Sequence, residues 1–391
     1  MPSTPLLMIP GPIEISDAVF AATCVRPASH LAPGFKHAFA GALHKMRTVW
    51  RASADHHPFV VAGGGTLAME AAATNLVDPG HTVLVVNTGV FGDRMVEMLR
   101  RRGANVLQVG AEPGHTVPLA EVRNALHEHR PHALFATHVD TSTGVRVDVA
   151  GLAGLAREVE ALSIFDGVCA TGAEVFEMAS WGADVYLTAS QKAIGLPAGL
   201  ALWMASPRAL EARRALNSPP PMTLDWLAWL PILEAYGRED DAYFSTPPTT
   251  LIPALDVSLG ELVEEGMDAV FARHASVAAR MRGAFGAMGL QSLSHAPANT
   301  ISALLWPNGA DGRALAAIRD RGVIVAGGLH PVVRSTYFRV GHMGAVTRDV
   351  DALRRTVEAV GEGLRAVGGE VDVAAGLAAF DGVGAGVIPR K

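Results

Sequence analysis

Lys192 is the residue whose surroundings first suggest chemistry. It lies in the segment VYLTASQKAIGLPAGLALW, residues 185–203, directly after an apolar run that is typical of an interior strand. Burying a lysine is costly unless the ammonium group is paired or the amine is used covalently. Two interpretations stay open for this residue by itself: a loop lysine whose ammonium group reaches water, or a lysine that forms a Schiff base.

Polar or aromatic residues also follow other predicted strands. In open parallel sheets, ligands bind beyond the carboxyl ends of the strands, so these residues are candidates for one shared site. Each has an ordinary structural explanation by itself, such as a tight turn, core packing or turn capping. The five clusters are the glycine-rich turn GGGT (63–66), Phe91 in NTGVFGDR, the hydroxyl-rich stretch 137–145, Asp166 in SIFDGVCATG, and Lys192.

Taken together, the five clusters match the requirements of pyridoxal phosphate. A glycine-rich turn at a helix N-terminus can cradle a phosphate, and an aromatic ring can stack on a flat cofactor. The cofactor needs a lysine for covalent attachment and a carboxylate that keeps its pyridine nitrogen protonated. A dinucleotide cofactor fits less well, because Ala68 stands where a G-x-G-x-x-G motif has its third glycine and Asn87, not an acid, ends the second strand.

Two kinds of segment alternate along the chain: short apolar runs that are typical of buried strands, and longer segments in which apolar residues recur at helical spacing. Strands that are apolar on both faces are separated by amphipathic helices, which predicts an α/β fold with a mostly parallel sheet covered by helices. We predict an N-terminal arm over 1–15, a large α/β domain over 16–264 and a smaller α+β domain over 265–391. The last residues, from about 374, are expected to form a loosely held tail.

Composition limits the possible functions. The chain has 391 residues, a net charge of −6 and a pI near 6.2, so it has no electrostatic footprint for nucleic acid or an anionic membrane. The mean hydropathy is +0.25, but no apolar run approaches the roughly 18 residues that span a bilayer. Only two cysteines occur, Cys24 and Cys169, and the N-terminus lacks the basic region of a secretory signal; we therefore expect a cytoplasmic protein.

The sequence resembles the class V branch of fold-type I pyridoxal-phosphate aminotransferases, in particular the alanine- and serine-glyoxylate (serine-pyruvate) aminotransferases. The similar segments extend over nearly the whole chain, and SQK with the upstream FDGV is the most specific of them. They are MIPGPIEI, GGGTLAMEAAA, NTGVFGDR, DTSTGV, FDGVCATG, SQKAIGLPAG, GGL and FRVGHMG.

The resemblance implies a role for each matching residue. Lys192 resembles the Schiff-base lysine and Asp166 the partner of the pyridine nitrogen, and these two are the expected catalytic residues. The remaining cofactor contacts would be Val168 under the ring, Phe91 above it, Thr141 near the ring oxygen, and Gly64, Gly65, Thr66 and Gln191 at the phosphate.

The resemblance also implies a homodimer with shared sites, because in the family a Tyr and a Thr of the partner subunit reach the phosphate. Tyr243 and Thr246 match these positions, and Arg339 matches the arginine that binds the substrate carboxylate, with Gly11 beside the substrate. The expected reaction moves an amino group from alanine or serine to glyoxylate or pyruvate by a ping-pong mechanism. Phe91 stands where relatives often carry Trp or Tyr, and GLPAG replaces a more Pro-rich loop, so these positions bear on substrate preference.

Other functions remain open at the level of the sequence. Pyridoxamine-pyruvate aminotransferase shares GHMG, but its additional arginine is replaced here by GGLHP. A desulfurase or another lyase of this class needs a mobile thiol, which the small domain lacks. A metal hydrolase built on HEHRPH (127–132) has no accompanying acidic motif. A non-catalytic cofactor-binding protein has no reason to retain both Lys192 and Arg339. The identity of the amino donor depends on the shape of the pocket, to which Pro10, Gly11, His330 and the partner chain contribute.

Overall fold

A seven-stranded sheet forms the centre of the molecule. The computed structural model describes residues 5–382. The strand order is β2-β10-β9-β8-β5-β3-β4, in which β10 runs antiparallel to both neighbours and the other pairs are parallel. The strands of this sheet are β2 His57–Gly63, β3 Thr82–Asn87, β4 Asn105–Gly110, β5 Ala133–Thr137, β8 Leu162–Asp166, β9 Val185–Ala189 and β10 Gly199–Ala205.

Helices pack against this sheet because its central strands are apolar on both faces. Strands β5, β8 and β9 are buried along their whole length, as the continuous apolar runs predict. The helices of this part are α1 Asp17–Thr23, α2 Pro33–Val49, α3 Gly65–Leu76, α4 Val90–Arg101, α5 Leu119–His129, α6 Val149–Glu158, α7 Met178–Trp181, α8 Pro207–Ala215, α9 Trp226–Gly237 and α10 Leu251–Glu265, with a 3₁₀ turn at Met222–Leu224.

The C-terminal part has its own sheets and its own hydrophobic cluster. Strand β14 lies between β11 and β13, antiparallel to both, and β1 of the N-terminal arm pairs in parallel with β12. Two short strands, β6 Val139–Asp140 and β7 Val145–Arg146, form a hairpin in the larger part. The remaining elements are β1 Leu6–Leu7, α11 Met267–Ala287, β11 Ile301–Leu305, α12 Ala314–Arg319, β12 Val323–Ile324, β13 Ala326–Gly327, β14 Tyr337–Gly341, α13 Val350–Ala366 and α14 Val373–Gly382, with a 3₁₀ turn at Gly344–Arg348.

Helix α11 joins the two parts. Its first turns place Val270 and Phe271 in the large hydrophobic cluster, whereas Val277 and Phe285 belong to the C-terminal cluster. Gly266, with φ of 84°, separates α10 from α11, close to the predicted boundary at 264/265. The arm, in contrast, pairs with a strand of the C-terminal part. The domain limits therefore stay a prediction.

The prediction of a loose tail from residue 374 is wrong for its first part. Residues Val373–Gly382 form helix α14, which packs on α11 and α13. Phe380 is fully buried, and the guanidinium carbon of Arg280 lies 4.0 Å from its ring centroid. Six of its ten residues are alanine or glycine, which gives the segment VAAGLAAFDG a weak hydrophobic period and concealed the helix. Residues 383–391 lie outside the described part of the chain.

The parallel strands bring the candidate residues to one edge of the sheet. Asp166 ends β8, opposite Thr137 of β5 and Leu187 of β9, and Lys192 follows the end of β9. None of the described helices combines the length and apolar character that crossing a membrane requires.

Candidate active site

Lys192 is a buried lysine beside the N-terminal arm. Its side chain is 7% exposed, and Nζ donates a hydrogen bond to the carbonyl oxygen of Pro10. The next residue of the arm, Gly11, has φ of 98°, and a Cβ atom there would lie 2.7 Å from Cδ of Lys192. A side chain at position 11 would therefore collide with Lys192, so glycine is required by both the backbone conformation and the close approach.

The surroundings of Lys192 favour its neutral amine. Burial lowers the pKa of Lys192, because an ammonium ion loses its hydration inside the protein. The positive charge of Arg339 acts in the same direction, whereas the carboxyl group of Asp166 opposes it. A neutral amine is the form that attacks a carbonyl carbon or accepts a proton.

Lys192 also differs from the other lysines. The chain contains four, at positions 36, 45, 192 and 391. Lys36 forms an ion pair of 2.7 Å with Asp241, and Lys45 one of 2.6 Å with Asp256. Within the described residues, Lys192 lies within ion-pair distance of no carboxylate. Of the three described lysines, Lys192 is therefore the one that is buried and has no carboxylate partner.

Asp166 is a buried carboxyl group with one direct hydrogen bond. Its Oδ1 accepts from the amide of Val168 at 2.9 Å, and the residue is 2% exposed. Burial raises the pKa of Asp166 to about 6, and the nearby carboxyl of Asp140 also raises it. The amide of Val168 and the charge of Lys192 act against this rise. A positively charged group facing the carboxyl would restore its ionised form.

Arg339 reaches the site from the middle of β14. Its Nε donates to the carbonyl of Gly327 at 2.9 Å, and its Nη1 donates to the carbonyl of Thr141 at 3.0 Å. Burial lowers the pKa of Arg339, although an arginine remains charged at neutral pH. Within the described residues, no carboxylate pairs with this guanidinium. A buried cation that is held only by carbonyl groups is suited to receive an anionic ligand.

The turn before α3 has the form of an anion cradle. Gly64 caps α3, whose first amides, at Gly65 and Thr66, have no acceptor inside the helix. A Cβ atom on Gly64 would meet open space, whereas one on Gly65 would lie 2.7 Å from Cγ2 of Val168. Glycine at position 65 therefore lets the turn approach the residue predicted to lie under a cofactor ring.

Phe91 is held at the N-terminus of α4 by a carboxylate that the sequence analysis did not single out. The amide of Phe91 donates to Oδ2 of Asp140 at 3.0 Å, and the amide of Ser142 donates to Oδ1 at 2.9 Å. Asp140 is fully buried, and burial raises its pKa. It thus fixes the turn that carries Phe91 to the hydroxyl-rich loop that carries Thr141.

Tyr337 is a second residue that the sequence analysis missed. Its hydroxyl accepts hydrogen bonds from the amides of Leu329 and His330 at 2.9 and 3.0 Å, and donates to the carbonyl of Ser142. It therefore connects the segment 328–336 to the loop that follows β6. The contact joins residues 195 positions apart, so no local pattern could indicate it.

Tyr243 and Thr246 lie on an exposed segment between α9 and α10. Tyr243 is 63% exposed, its hydroxyl lies 3.5 Å from Oγ1 of Thr246, and its ring centroid lies 5.3 Å from that of His30. Neither residue has a hydrogen bond to the Lys192 group within the described part of the chain. Their assignment to a partner's site stays a prediction.

The histidines of HEHRPH have separate partners. Nε2 of His127 lies 3.3 Å from Glu158, His129 lies 3.9 Å from Glu128, and Nε2 of His132 bonds the carbonyl of Leu76 at 2.9 Å. Between residues 5 and 382, no group of three His, Cys, Asp or Glu side chains has the arrangement of a metal site.

The fold and the site define a class of protein. A mostly parallel sheet that brings a buried lysine, a buried carboxyl group and a glycine-rich helix N-terminus to one edge is the arrangement of fold-type I pyridoxal-phosphate enzymes. Gln191 adds an observation that calls for a ligand, because its buried Oε1 has no hydrogen-bond partner within residues 5–382. The residues present therefore fit this cofactor.

Comparison with known proteins gives the family. A family model described as aminotransferase class V matches residues 18–348. Alanine–glyoxylate aminotransferase 1 of Saccharomyces cerevisiae is 37% identical over 88% of this chain and 92% of its own length. L-aspartate–glyoxylate aminotransferase of Paracoccus denitrificans is 32% identical, over 95% and 94%. The crystal structure of pyridoxamine-pyruvate aminotransferase from Mesorhizobium loti has a TM-score of 0.91 at 25% identity, over 97% of each chain.

The chain belongs to the class V aminotransferases and is a transaminase that depends on pyridoxal 5′-phosphate. The predictions of the family, of the fold-type I architecture, of the enzyme class and of the cofactor are confirmed.

Proposed function

We propose that this enzyme transfers the amino group of a small amino acid, alanine or serine, to glyoxylate or pyruvate. The observation that carries the proposal is the grouping of three buried charged residues, Lys192, Asp166 and Arg339. Burial lowers the pKa of Lys192, the charge of Arg339 lowers it further and the carboxyl of Asp166 raises it, so both residues act on the same amine. Within residues 5–382, their hydrogen-bond partners are backbone groups, and none of the three has an oppositely charged group at ion-pair distance. Arg339 would bind the carboxylate of an amino acid, Asp166 would bind the protonated pyridine nitrogen of the cofactor, and Lys192 would bind its aldehyde carbon.

Lys192 holds the cofactor covalently and moves the proton of the substrate's α carbon. Burial lowers the pKa of its amine, so the released side chain is a neutral base. The carbonyl of Pro10 accepts from Nζ and orients the amine, and Gly11 leaves room for the side chain. When it is bound, the cofactor supplies an electron-withdrawing ring that stabilises negative charge on the substrate carbon.

Asp166 binds the protonated pyridine nitrogen, and Val168 and Phe91 enclose the ring. The amide of Val168 directs one carboxyl oxygen of Asp166 and leaves the other available. The hydroxyl of Thr141 would contact the ring oxygen. Gly64, Gly65, Thr66 and Gln191 bind the phosphate.

Arg339 binds the substrate carboxylate with the N–H groups that Gly327 and Thr141 leave free. The segment 328–336 contains a single arginine, Arg334, and no lysine, and Arg334 is exposed. A dicarboxylic donor such as aspartate requires a second cation for its side chain, so this segment favours alanine or serine.

We further propose a homodimer in which Tyr243 and Thr246 of one subunit complete the phosphate site of the other. Tyr243 is a large aromatic residue that is mostly exposed, as expected of an interface residue. Both cysteines are free thiols, which fits a reducing, cytoplasmic compartment.

Two experiments test the proposal. Borohydride reduction followed by peptide mapping should place the cofactor on Lys192 and leave Lys36 and Lys45, which serve as internal controls. Cofactor on either control lysine contradicts the assignment. Arg339→Lys keeps the charge but loses the two-pronged geometry, and should lower kcat/KM for alanine and serine by roughly 10- to 100-fold, as expected for losing charge-assisted hydrogen bonds.

Pyridoxamine serves as the control donor, because it has no carboxylate for Arg339 to bind. The kcat/KM for pyridoxamine should change little in Arg339→Lys. An equal loss for all three donors would show that Arg339 only joins the two parts of the protein. A wild-type enzyme that prefers pyridoxamine to alanine and serine would show that the proposed donor class is wrong.

A further inference from the structure

Arg94 contacts both Phe91, which is proposed to stack on the cofactor ring, and Thr66, which is proposed to bind the cofactor phosphate. It stands one turn after Phe91 on α4, and its guanidinium carbon lies 4.8 Å from the Phe91 ring centroid. Its Nη1 donates a hydrogen bond to Oγ1 of Thr66 at 3.0 Å. The same cation therefore contacts the proposed ring-stacking residue and the proposed phosphate-binding hydroxyl.

The charge of Arg94 is not used by another residue. Between residues 5 and 382, no carboxylate lies within ion-pair distance of its guanidinium, although Glu97 of the same helix pairs with Arg101 at 2.7 Å. Burial is the largest influence on the pKa of Asp166 and raises it, whereas the charge of Arg94 acts in the opposite direction. Arg94 is thus an uncompensated cation within electrostatic reach of the site.

The cradle before α3 needs such a charge. A helix N-terminus carries only about half a positive charge, whereas a phosphate monoester carries about −1.5 to −2 at neutral pH. Thr66 and Gln191 offer neutral groups. A guanidinium at hydrogen-bond distance from Thr66 can donate to a phosphate oxygen that this hydroxyl also contacts.

We propose that Arg94 is a direct ligand of the cofactor's phosphate. It supplies the positive charge that the amides of Gly65 and Thr66 lack, and its stacking on Phe91 fixes the guanidinium at the edge of the ring site. The proposal rests on the proposed positions of Thr66 and Phe91 against the cofactor. It differs from two weaker roles, in which Arg94 only supports the Phe91 ring or only orients the Thr66 hydroxyl.

The test compares two ligands that differ by the phosphate alone. Apoenzyme is titrated with pyridoxal phosphate and with pyridoxal, and binding is followed by the absorbance of the bound aldehyde. Arg94→Met, which keeps the length of the side chain but not its charge, should raise the Kd for pyridoxal phosphate about 10- to 100-fold, the range of lost charge-assisted hydrogen bonds. The Kd for pyridoxal should stay within about twofold. Arg100→Met removes a charge from an exposed position of the same helix and should change neither.

Three results would overturn the proposal. Equal weakening of both ligands would mean that Arg94 only supports the ring. An unchanged preference for pyridoxal phosphate in Arg94→Met would mean that it does not sense the phosphate. If Arg94→Met has no further effect in a Thr66→Val background, Arg94 acts only through that hydroxyl.

The same titrations separate this inference from the proposed function. A wild-type apoenzyme that binds the two ligands equally contradicts the phosphate cradle itself, whereas a wild-type preference that survives in Arg94→Met contradicts Arg94 alone. Arg94→Lys covers the case in which the methionine variant does not fold. Lysine keeps the charge but lacks the planar pair of donors, so the preference for pyridoxal phosphate over pyridoxal should lie between those of wild type and Arg94→Met. An undiminished preference would contradict a direct guanidinium contact.

Discussion

Replacing Asp166 by asparagine should stabilise the apoenzyme at neutral pH while it impairs catalysis. Asp166 is 2% exposed, and within residues 5–382 its carboxyl group accepts a hydrogen bond only from the amide of Val168. Asparagine can keep that hydrogen bond through its carbonyl oxygen and carries no charge that burial would penalise. The ionised carboxyl group of Asp166 is therefore costly in the cofactor-free protein, and the proposed function requires it for binding the cofactor.

The magnitude follows from the pKa of Asp166. Burial raises this pKa to about 6, compared with 3.8 for an unperturbed aspartate. At about 1.4 kcal/mol for each pH unit, the difference corresponds to on the order of 3 kcal/mol. An unfolding entropy of about 2.1 cal/mol/K per residue converts this energy into a Tm difference of roughly 4 °C for a chain of this length.

The sign of the effect depends on pH. Below about pH 3.8, the carboxyl is protonated in both the folded and the unfolded chain, so its contribution to the stability of the folded protein is fully present. As the pH rises through 6, the folded protein must ionise a buried group and this contribution is lost. The Tm advantage of Asp166→Asn over wild type should therefore grow between pH 4.5 and 8.

Thermal unfolding of cofactor-free wild type and Asp166→Asn across this pH range is the assay. Asp78→Asn is the control, because burial of Asp78 is outweighed by hydrogen bonds from the amides of Asn217 and Ser218, which lower its pKa. Its Tm difference from wild type should be constant above pH 4.5. A constant Tm difference for Asp166→Asn as well would refute the reasoning. With the cofactor added, the wild type should gain more in Tm than Asp166→Asn does.

Three further changes have defined outcomes. Gly11→Ala would place a methyl group 2.7 Å from the Lys192 side chain at a φ of 98°, and should weaken cofactor binding at least roughly tenfold in an absorbance titration. Tyr337→Phe frees the segment 328–336 from the hydroxyl that holds it; steady-state kinetics should show KM for amino donors rising several-fold and kcat changing less. Phe380→Ala empties a fully buried position far from the site and should cost about 3–5 kcal/mol, seen as a lower Tm with unchanged kcat.

The residues that follow strands were predictable from the sequence, because each follows a continuous apolar run. Lys192 and Asp166 come after buried strands that lie side by side, so a parallel arrangement alone brings them to one edge. Gly65 was predictable for the same reason, as a glycine between a strand and a helix. In these cases local periodicity and the rules of parallel sheets suffice.

Residues that act through distant contacts could not be found in this way. Asp140 was concealed among hydroxyl residues, and its role depends on the amide of Phe91, 49 positions away. Arg94 resembles any surface arginine until α3 and α4 are packed together and Thr66 is beside it. The antiparallel direction of β10 was also not predicted, because an apolar strand looks the same in both directions.

In the cofactor-free protein, three buried residues of the candidate site are held in states that cost free energy. Burial pushes Lys192 toward its neutral form and Asp166 toward its protonated form, and it holds the Arg339 guanidinium against carbonyl groups rather than a carboxylate. Each of these states has a free-energy cost in the folded protein. In the proposed site, a protonated ring nitrogen beside Asp166 and a substrate carboxylate beside Arg339 would remove two of these costs, because each supplies the charge that the residue lacks. The neutral amine of Lys192 is the form that the proposed reaction uses. Under the proposed function, binding and chemistry use the same residues, so a substitution at one of them that stabilises the cofactor-free protein should make the enzyme less active.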